Sequence, residues 1–168
     1  MSISFPESLE SLGREVFCDC YSLMQIEFPT HMEKMDFMCF GGCHSLESVT
    51  LPIIKKVPNS CFSAWHIRNL TIPEGVEEIG NSAFACCPLD RVVLPKSLKV
   101  LGSDVFSRSK KYETVDIIVL SDDTIIEGFA LHQFITVYCR PGSEAEKVVR
   151  KVGDTVSCKR LSKMYDVS

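Results

Sequence analysis

Two residue types recur at a nearly constant spacing through most of the chain. The first is proline, at intervals of 21 to 23 residues: Pro6, Pro29, Pro52, Pro73 and Pro95. The second is phenylalanine, at intervals of 22 or 23 residues: Phe17, Phe40, Phe62, Phe84 and Phe106. A fixed period of this length is typical of a solenoid, in which each coil contacts mainly its neighbours. The period constrains the architecture more than the activity, because solenoids are general binding scaffolds.

Each repeat encodes a short strand followed by a return arm. Apolar residues alternate before each proline, as Leu70 and Ile72 do before Pro73, and this period of two predicts a strand. Proline then ends the strand, because it has no N–H to donate. Apolar residues three apart, such as Val76 and Ile79, predict the arm that brings the chain back.

The corner and the interior of each coil also have a consistent composition. Three repeats place a glycine after the return arm, at Gly13, Gly80 and Gly102, and this predicts a sharp turn. The residues before the repeat phenylalanines are apolar and small or medium in size: Val16, Cys39, Cys61, Ala83 and Val105. We expect these pairs to fill the coil interior. One coil is too short to bury its own apolar face, so the strands must stack in parallel, about 4.8 Å apart.

The repeated pattern is Cys-x-x-Leu-x-x-Ile-x-Leu-Pro-x-x-Leu-x-x-Ile-Gly-x-x-Ala-Phe, and it closely resembles the BspA-type leucine-rich repeat family. The best matches are residues 20–40, residues 43–62 with one deletion, and residues 73–84. The resemblance implies a mainly β solenoid, a right-handed superhelix with a stacked parallel sheet. It also implies a cell-surface or secreted protein of a bacterium or protist that binds host proteins or other cells.

The repeats predict a solenoid domain over residues 1–141. Five clear repeats of 21 to 23 residues extend to about residue 111, and a degenerate sixth follows. In the sixth repeat Phe129 keeps the phase, while Ile118 and Leu120 can supply the strand.

Residues 142–168 are predicted to form a C-terminal cap of one helix and one strand. Ser143-x-x-Glu146 is typical of a capping box that opens a helix, here as far as about Val152, and residues 155–159 have strand character. The N-terminus shows no comparable cap. This predicts either a chain that continues upstream or a dimer that forms through the first coil.

Charge and hydropathy exclude two classes of partner. The chain has 22 acidic and 18 basic residues, a net charge of −4, and no basic run, which argues against nucleic-acid binding. No apolar stretch approaches the length that inserts into a membrane, and the first residues lack the features of a secretory signal. The sequence alone therefore favours a cytoplasmic protein or a module of a longer one, whereas the family resemblance favours the cell surface or secretion.

The nine cysteines follow the repeat rather than a metal-binding pattern. One column lies three residues after the repeat phenylalanines, and its members are Cys20, Cys43, Trp65, Cys87, Ser109 and His132. Buried free cysteine behaves as a small apolar residue. An odd number of cysteines and the lack of any Cys-x-x-Cys pair favour reduced thiols and no bound metal. The alternative to reduced thiols is a disulfide between Cys20 and Cys43, which lie on neighbouring coils.

Two functions of different classes are compatible with the sequence. The first is a non-enzymatic module that binds a protein partner through the outward side chains of the strands: Ser2, Ser4, Gln25, Glu27, Ser48, Thr50, Asn69, Thr71, Arg91 and Val93. Trp65 is placed at the coil edge beside this face, and Glu27, Arg91 and Trp65 are the predicted energetic anchors, since interfaces concentrate energy in Trp, Tyr and Arg.

The alternative is a small hydrolase or a metal-binding protein. Its site would lie near His132, Tyr138 and Cys139, or at His44 and His66, which share one phase of neighbouring coils. No Gly-x-Ser-x-Gly, His-Glu-x-x-His or phosphate-binding glycine loop is present, so we expect no catalytic residues and no cofactor.

Overall fold

The chain folds as a parallel β solenoid of about six turns with one short helix. The computed structural model describes residues 1–47, 49–107, 114–127, 135–152 and 156–161. In chain order the elements are β1 (Ser2–Ser4), β2 (Ser11–Leu12), β3 (Gln25–Glu27), β4 (Lys34–Met35), β5 (Lys56–Val57), β6 (Asn69–Thr71), β7 (Glu78–Ile79), β8 (Arg91–Leu94), β9 (Val100–Leu101), β10 (Val115–Val119), β11 (Ile125–Ile126), β12 (Ile135–Cys139), α1 (Glu144–Val152) and β13 (Val156–Arg160).

The strands form two walls of the solenoid. The first wall contains the pair β1–β3 and the five-stranded order β6-β8-β10-β12-β13. The second contains the pair β2–β4 and the order β5-β7-β9-β11. All pairs are parallel, and residues of equal phase are aligned, as Leu70 is with Val92. The stacked parallel sheet predicted from the repeat is therefore confirmed.

A ladder of backbone hydrogen bonds joins the turns that carry the repeat phenylalanines. The N–H of Phe40 donates to Cys61 O at 3.0 Å, and the N–H of Phe62 donates to Ala83 O at 2.9 Å. The turn of the third coil places Ser60 and Ala64 at φ angles of 55° and 60°, in the left-handed region. This ladder forms a third wall and holds the phenylalanine turns of neighbouring coils in one register.

The repeat phenylalanines form a stacked ladder through the core. The centroids of neighbouring rings, from Phe17 to Phe106, are 5.1, 6.2, 5.4 and 6.4 Å apart in chain order. The rings of the second to fifth coils are buried, whereas Phe17 is only half-buried. Val16 is 51% exposed, so the prediction that it fills the coil interior is wrong. No described coil packs on that side of the first coil to cover it.

Two of the three corner glycines, Gly80 and Gly102, are required by close approach rather than by backbone conformation. Neither Gly80 nor Gly102 has a positive φ. A Cβ on Gly80 would lie 2.4 Å from Asn59 Oδ1, and one on Gly102 would lie 2.5 Å from Asn81 Oδ1. Asn59 Oδ1 accepts the N–H of Asn81 at 2.9 Å, and Asn81 Oδ1 accepts the N–H of Ser103 at 2.9 Å. Each glycine leaves room for the asparagine that binds the next corner.

The predicted C-terminal helix and strand are both present. Ser143 Oγ accepts the N–H of Glu146 at 3.3 Å, and the Glu146 carboxylate accepts the N–H of Gly142 at 2.7 Å, which completes the cap of α1. Ala145 and Val149 pack into the core. Strand β13 pairs in parallel with β12, so this strand extends the first wall. Phe129 of the degenerate repeat lies outside the described residues.

Candidate functional site

The outward side of the first wall is exposed in the N-terminal half of the solenoid. In β3, Ile26 is buried between the exposed Gln25 and Glu27. In β6, Leu70 is buried between the exposed Asn69 and Thr71. Ser2, Ser4 and Thr50 are exposed as well. Ser48, also predicted for this face, lies outside the described residues. We call this surface, formed by the outward residues 2, 4, 25, 27, 50, 69 and 71, the strand face.

The same side of the sheet is more covered towards the C-terminus. Arg91 and Val93 of β8 are half-buried. Ile118 also points outward, in register with Val93 and Tyr138, yet only 1% of it is exposed. The sequence predicts Ile118 and Leu120 as the alternating apolar pair of this strand, and that prediction is wrong. The structure aligns Ile117 with Val92 and Val119 with Leu94, so the inward phase is shifted by one residue. The open part of the predicted surface is therefore confined to the N-terminal strands.

Trp65 does not lie at an exposed edge. It is 0% exposed, its Nε1 donates to the carbonyl oxygen of Phe40 at 2.8 Å, and its ring lies 4.6 Å from that of Phe62. The prediction that Trp65 anchors a partner is therefore wrong. A tryptophan can be fully buried here because its only polar group has a partner inside the solenoid.

Trp65 shares its phase with two cysteines that make the same contact. Cys43 Sγ donates to Phe17 O at 3.1 Å, and Cys87 Sγ donates to Phe62 O at 3.4 Å. The column therefore provides a side-chain donor to the phenylalanine carbonyl of the preceding coil. Burial raises the pKa of Cys43 to about 11 and that of Cys87 to about 12, so both remain neutral donors at physiological pH. The shared phase was the signal that places Trp65 in the core.

Two pairs of charged side chains on or next to the second wall form ion pairs between coils. Lys99 Nζ lies 2.6 Å from Glu77 Oε2, and Lys56 Nζ lies 2.5 Å from Glu78 Oε1. The hydrogen bond and charge of Lys99 lower the pKa of Glu77. On the strand face, by contrast, the side chains of residues 25, 50, 69 and 71 make no hydrogen bond to any described residue. Their hydrogen-bonding groups are available to a partner.

The histidine pair does not form a metal centre. His44 Nδ1 lies 2.9 Å from the carbonyl oxygen of Ala64, and its ring stacks on Tyr21 with centroids 5.5 Å apart. His66 is exposed. Within the described ranges, no group of three or more His, Cys, Asp or Glu side chains is arranged to hold a metal ion.

The residues of the second alternative lie on opposite sides of one strand. Tyr138 points outward, where its hydroxyl donates to Asp116 Oδ2 at 3.4 Å. Cys139 is buried on the inner side, and burial raises its pKa to about 12. His132 lies outside the described residues. Tyr138 and Cys139 therefore cannot act on one substrate together, because the sheet separates them.

In the part of the chain that the structure describes, no helix is long and apolar enough to cross a lipid bilayer. Two open grooves lie beside the strand face. Met1, Ser2, Met24, Gln25, Ser45 and Glu47 line the first, and Glu47, Val49, His66, Arg68 and Asn69 line the second. A more apolar groove of about 350 Å³ lies between the second and third coils.

Solved structures of similar fold are bacterial leucine-rich repeat proteins. A leucine-rich repeat protein from Bacteroides ovatus has 24% identity and a TM-score of 0.65 over 84% of this chain and 44% of its own. The pneumococcal vaccine antigen PcpA has 18% identity and a TM-score of 0.73, over 96% and 41%. The leucine-rich repeat protein of T. pallidum has 17% identity and a TM-score of 0.59, over 94% and 86%. At these identities the likeness shows the fold alone.

The chain spans less than half the length of the first two of these proteins. No curated protein matches it in sequence. The profile of the BspA type leucine rich repeat region matches residues 1–113 as six copies. With two thirds of its length matched in this way, the chain belongs to the BspA-type leucine-rich repeat family.

Proposed function

We propose that the chain is a non-enzymatic protein-interaction module that binds a protein partner through the strand face. Leucine-rich repeat families commonly mediate protein interactions. The choice of the strand face as the binding surface is supported by the outward residues of β3 and β6, which are exposed.

One observation carries the proposal. The side chains of Gln25, Thr50, Asn69 and Thr71 are exposed and make no hydrogen bond within the described part of the chain. Any sheet must present polar residues to water, and on or next to the second wall Lys56 pairs with Glu78 and Lys99 with Glu77 between coils. On the strand face Ser4 Oγ donates to Glu27 Oε2 at 3.1 Å, but the side chains of residues 25, 50, 69 and 71 form no such pair. The outward residues also change in identity from coil to coil. Both properties suit the recognition of another protein.

The apolar side chains of the first coil support a second contact surface, through which two copies would dimerise. Met1, Val16, Tyr21 and Met24 are exposed to between 51% and 63%. A Val16→Glu variant should then sediment as a monomer under conditions in which the unmodified chain sediments as a dimer. If the unmodified chain sediments as a monomer even at high concentration, the proposed dimer surface is wrong.

The experiment for the strand face compares two surfaces of the same chain. A partner is first captured from the source cells and purified, and its Kd is measured by calorimetry. The double variant Gln25→Ala, Asn69→Ala should weaken binding about tenfold or more, an energy that a few interface residues commonly provide. The matched control is the double variant Lys34→Ala, Lys55→Ala. Lys34 lies on the second wall, Lys55 directly precedes β5, and both are exposed, so this variant should leave the Kd unchanged.

Both double variants should keep the free energy of unfolding within about 0.5 kcal/mol, as expected for exposed positions. Partner binding that survives the strand-face variant, but is lost when residues 142–168 are deleted from a chain that still folds, would move the site to the C-terminal unit and contradict the proposal.

A further inference from the structure

Two cysteines lie in contact at the C-terminal end of the solenoid. Cys139 is the last residue of β12, Cys158 lies in the middle of β13, and their Sγ atoms are 3.7 Å apart. This distance is close to van der Waals contact between two sulfur atoms, and a disulfide would shorten it to about 2.05 Å. The two cysteines are 19 positions apart in the chain, and α1 lies between them.

The strand register shows what closing a disulfide requires. Strands β12 and β13 are parallel neighbours, and Cys158 is in register with Val137, two residues before Cys139. Val137 and Cys139 are buried on the inner side of the sheet, so Cys158 extends from β13 on that same side. The two cysteines are therefore diagonal neighbours, and a bond between them needs a small shift of β13 along β12. Because β13 is the edge strand in its sheet order, it can make this shift without disturbing another strand of that order.

The two thiols differ in their access to solvent. Cys158 is exposed, so a dissolved reagent can reach its sulfur, whereas Cys139 is only 2% exposed. Reaction with a dissolved oxidant depends on this access, so Cys158 is the thiol that reacts first. Cys139 lies within contact of the product, where it can displace whatever the oxidant leaves on Cys158.

The other cysteines lack one of these two properties. Cys39 and Cys61, on neighbouring coils, are both 0% exposed, so a reagent in solution reaches neither. Cys43, half of the pair that the sequence offers as an alternative, is buried and directs its thiol to Phe17 O at 3.1 Å. Cys86 is exposed, but its chain neighbour Cys87 is buried and directs its thiol to Phe62 O. Contact and access therefore occur together at Cys139 and Cys158.

We propose that Cys139 and Cys158 form a reversible disulfide that links β13 to β12, and that the oxidant is a small-molecule disulfide such as oxidised glutathione. The Cys158 thiol gives up its proton and attacks one sulfur of the oxidant, which releases one glutathione thiol and leaves the other glutathione bound to Cys158. The Cys139 thiol then loses its proton and attacks the Cys158 sulfur. The second glutathione leaves as a thiolate and takes up that proton. Two protein thiols are oxidised, and one molecule of oxidised glutathione is reduced to two thiols.

The bond closes the segment that contains α1. This helix packs Ala145 and Val149 into the core and contacts β11, β12 and β13. Edge strands and terminal helices open locally at a lower free energy than the interior of a fold. A covalent link between β12 and β13 restricts the open conformations, so it makes local opening of α1 and β13 less frequent. The inference is independent of the strand face, since neither cysteine belongs to that surface.

Oxidation of the folded chain tests whether the bond forms. The unmodified chain is incubated with oxidised glutathione, quenched with acid, unfolded and labelled with N-ethylmaleimide. Mass spectrometry of its proteolytic peptides should show an internal disulfide between Cys139 and Cys158, and dithiothreitol should restore all nine thiols. A disulfide between Cys20 and Cys43 in its place, or a glutathione adduct on Cys158 that never converts, would overturn the inference.

Two variants separate the roles of the two thiols. In Cys139→Ala the glutathione adduct on Cys158 should persist, as it should on the exposed Cys86 of the unmodified chain, which serves as the matched site. Cys158→Ser changes an exposed position, so this variant should fold even if Cys139→Ala does not, and it should form no internal disulfide. Equal lifetimes of the Cys158 adduct in the unmodified chain and in Cys139→Ala, or an internal disulfide in Cys158→Ser, would contradict the inference.

Hydrogen exchange followed by NMR tests whether the bond holds the C-terminal strand. In the oxidised chain the amides of Val156–Arg160 should exchange about tenfold or more slowly than in the reduced chain, because opening of β13 is restricted. The amides of Asn69–Thr71, at the other end of the same sheet order, should be unaffected. Cys158→Ser treated with the same oxidant is the control and should show no change. Equal exchange of β13 in the oxidised and reduced chains would show that the disulfide does not stabilise this strand, and the proposed role would be wrong.

Discussion

Trp65 of the third coil donates its indole N–H to the carbonyl oxygen of Phe40 in the second coil, at 2.8 Å. Cys43 and Cys87 use their thiols in the same way on the phenylalanine carbonyls of the coils before them. The column is thus defined by its hydrogen-bond donor and its burial, and two chemically different residue types satisfy both. The large indole fits because it packs against Phe40 and Phe62 at 6.2 and 4.6 Å.

The Trp65→Phe variant should lower the free energy of unfolding by about 1–3 kcal/mol. Phenylalanine keeps much of the apolar contact but removes the donor, and a buried acceptor that loses its partner costs an amount in this range. Trp65→Ala should cost about 3–5 kcal/mol, because it also leaves a cavity. Urea unfolding measures both. An unchanged midpoint for Trp65→Phe would mean that this hydrogen bond contributes no net stability.

Gly80→Ala should destabilise the protein by about 1–3 kcal/mol, the usual cost of inserting a methyl group into a tightly packed site. The added Cβ would lie 2.4 Å from Asn59 Oδ1 and 2.8 Å from Asn59 N. Gly13 has the same phase in the first coil, but a Cβ there would meet only Val16, at 3.7 Å. Gly13→Ala should therefore be neutral or stabilising in the same urea titration. If both variants lost the same free energy of unfolding, the backbone conformation of the corner, and not the close approach of Asn59, would be the cause.

The repeat made most of this fold predictable, because the identity of a residue follows its phase. Most strands, the phenylalanine ladder and the capping box at Ser143 and Glu146 lie where the pattern predicts them. Trp65 departs from its prediction because its phase, shared with the buried Cys43 and Cys87, decides its position more than its residue type does. The phase of the sixth strand could not be predicted, since residues 117–120 are all apolar and alternation does not decide which of them face inward.

Stability should fall as the pH rises through the range in which buried thiols ionise. Burial raises the pKa of Cys39 and Cys87 to about 12 from an ordinary value of 9.0. The unfolded chain releases these protons at lower pH than the folded chain, so the stabilisation is complete below about pH 9 and is lost progressively towards pH 12. The urea midpoint measured against pH should show this decline.

The Cys87→Ala variant provides the control for the thiol prediction. It should have a shallower decline above pH 9.0, since one raised pKa has been removed. The exposed Cys86 is the matched residue, and Cys86→Ala should leave the slope unchanged. In the folded protein, a thiol reagent should label Cys86 and Cys158 before the buried cysteines. Parallel declines for all three proteins would show that other groups cause the alkaline loss.

Phe84→Ala should lower the free energy of unfolding by about 3–5 kcal/mol, the usual cost of deleting a fully buried aromatic side chain. The Phe84 ring is 0% exposed and stacks between Phe62 at 5.4 Å and Phe106 at 6.4 Å, so its loss opens a cavity with a ring on either side. Phe17 lies at the same phase but is half-buried, and its nearest ladder partner is Phe40 alone. Phe17→Ala should therefore cost less than Phe84→Ala in the same urea titration. If the two variants lost equal stability, another surface would have to cover the first coil in solution, which sedimentation of the unmodified chain as a dimer would then reveal.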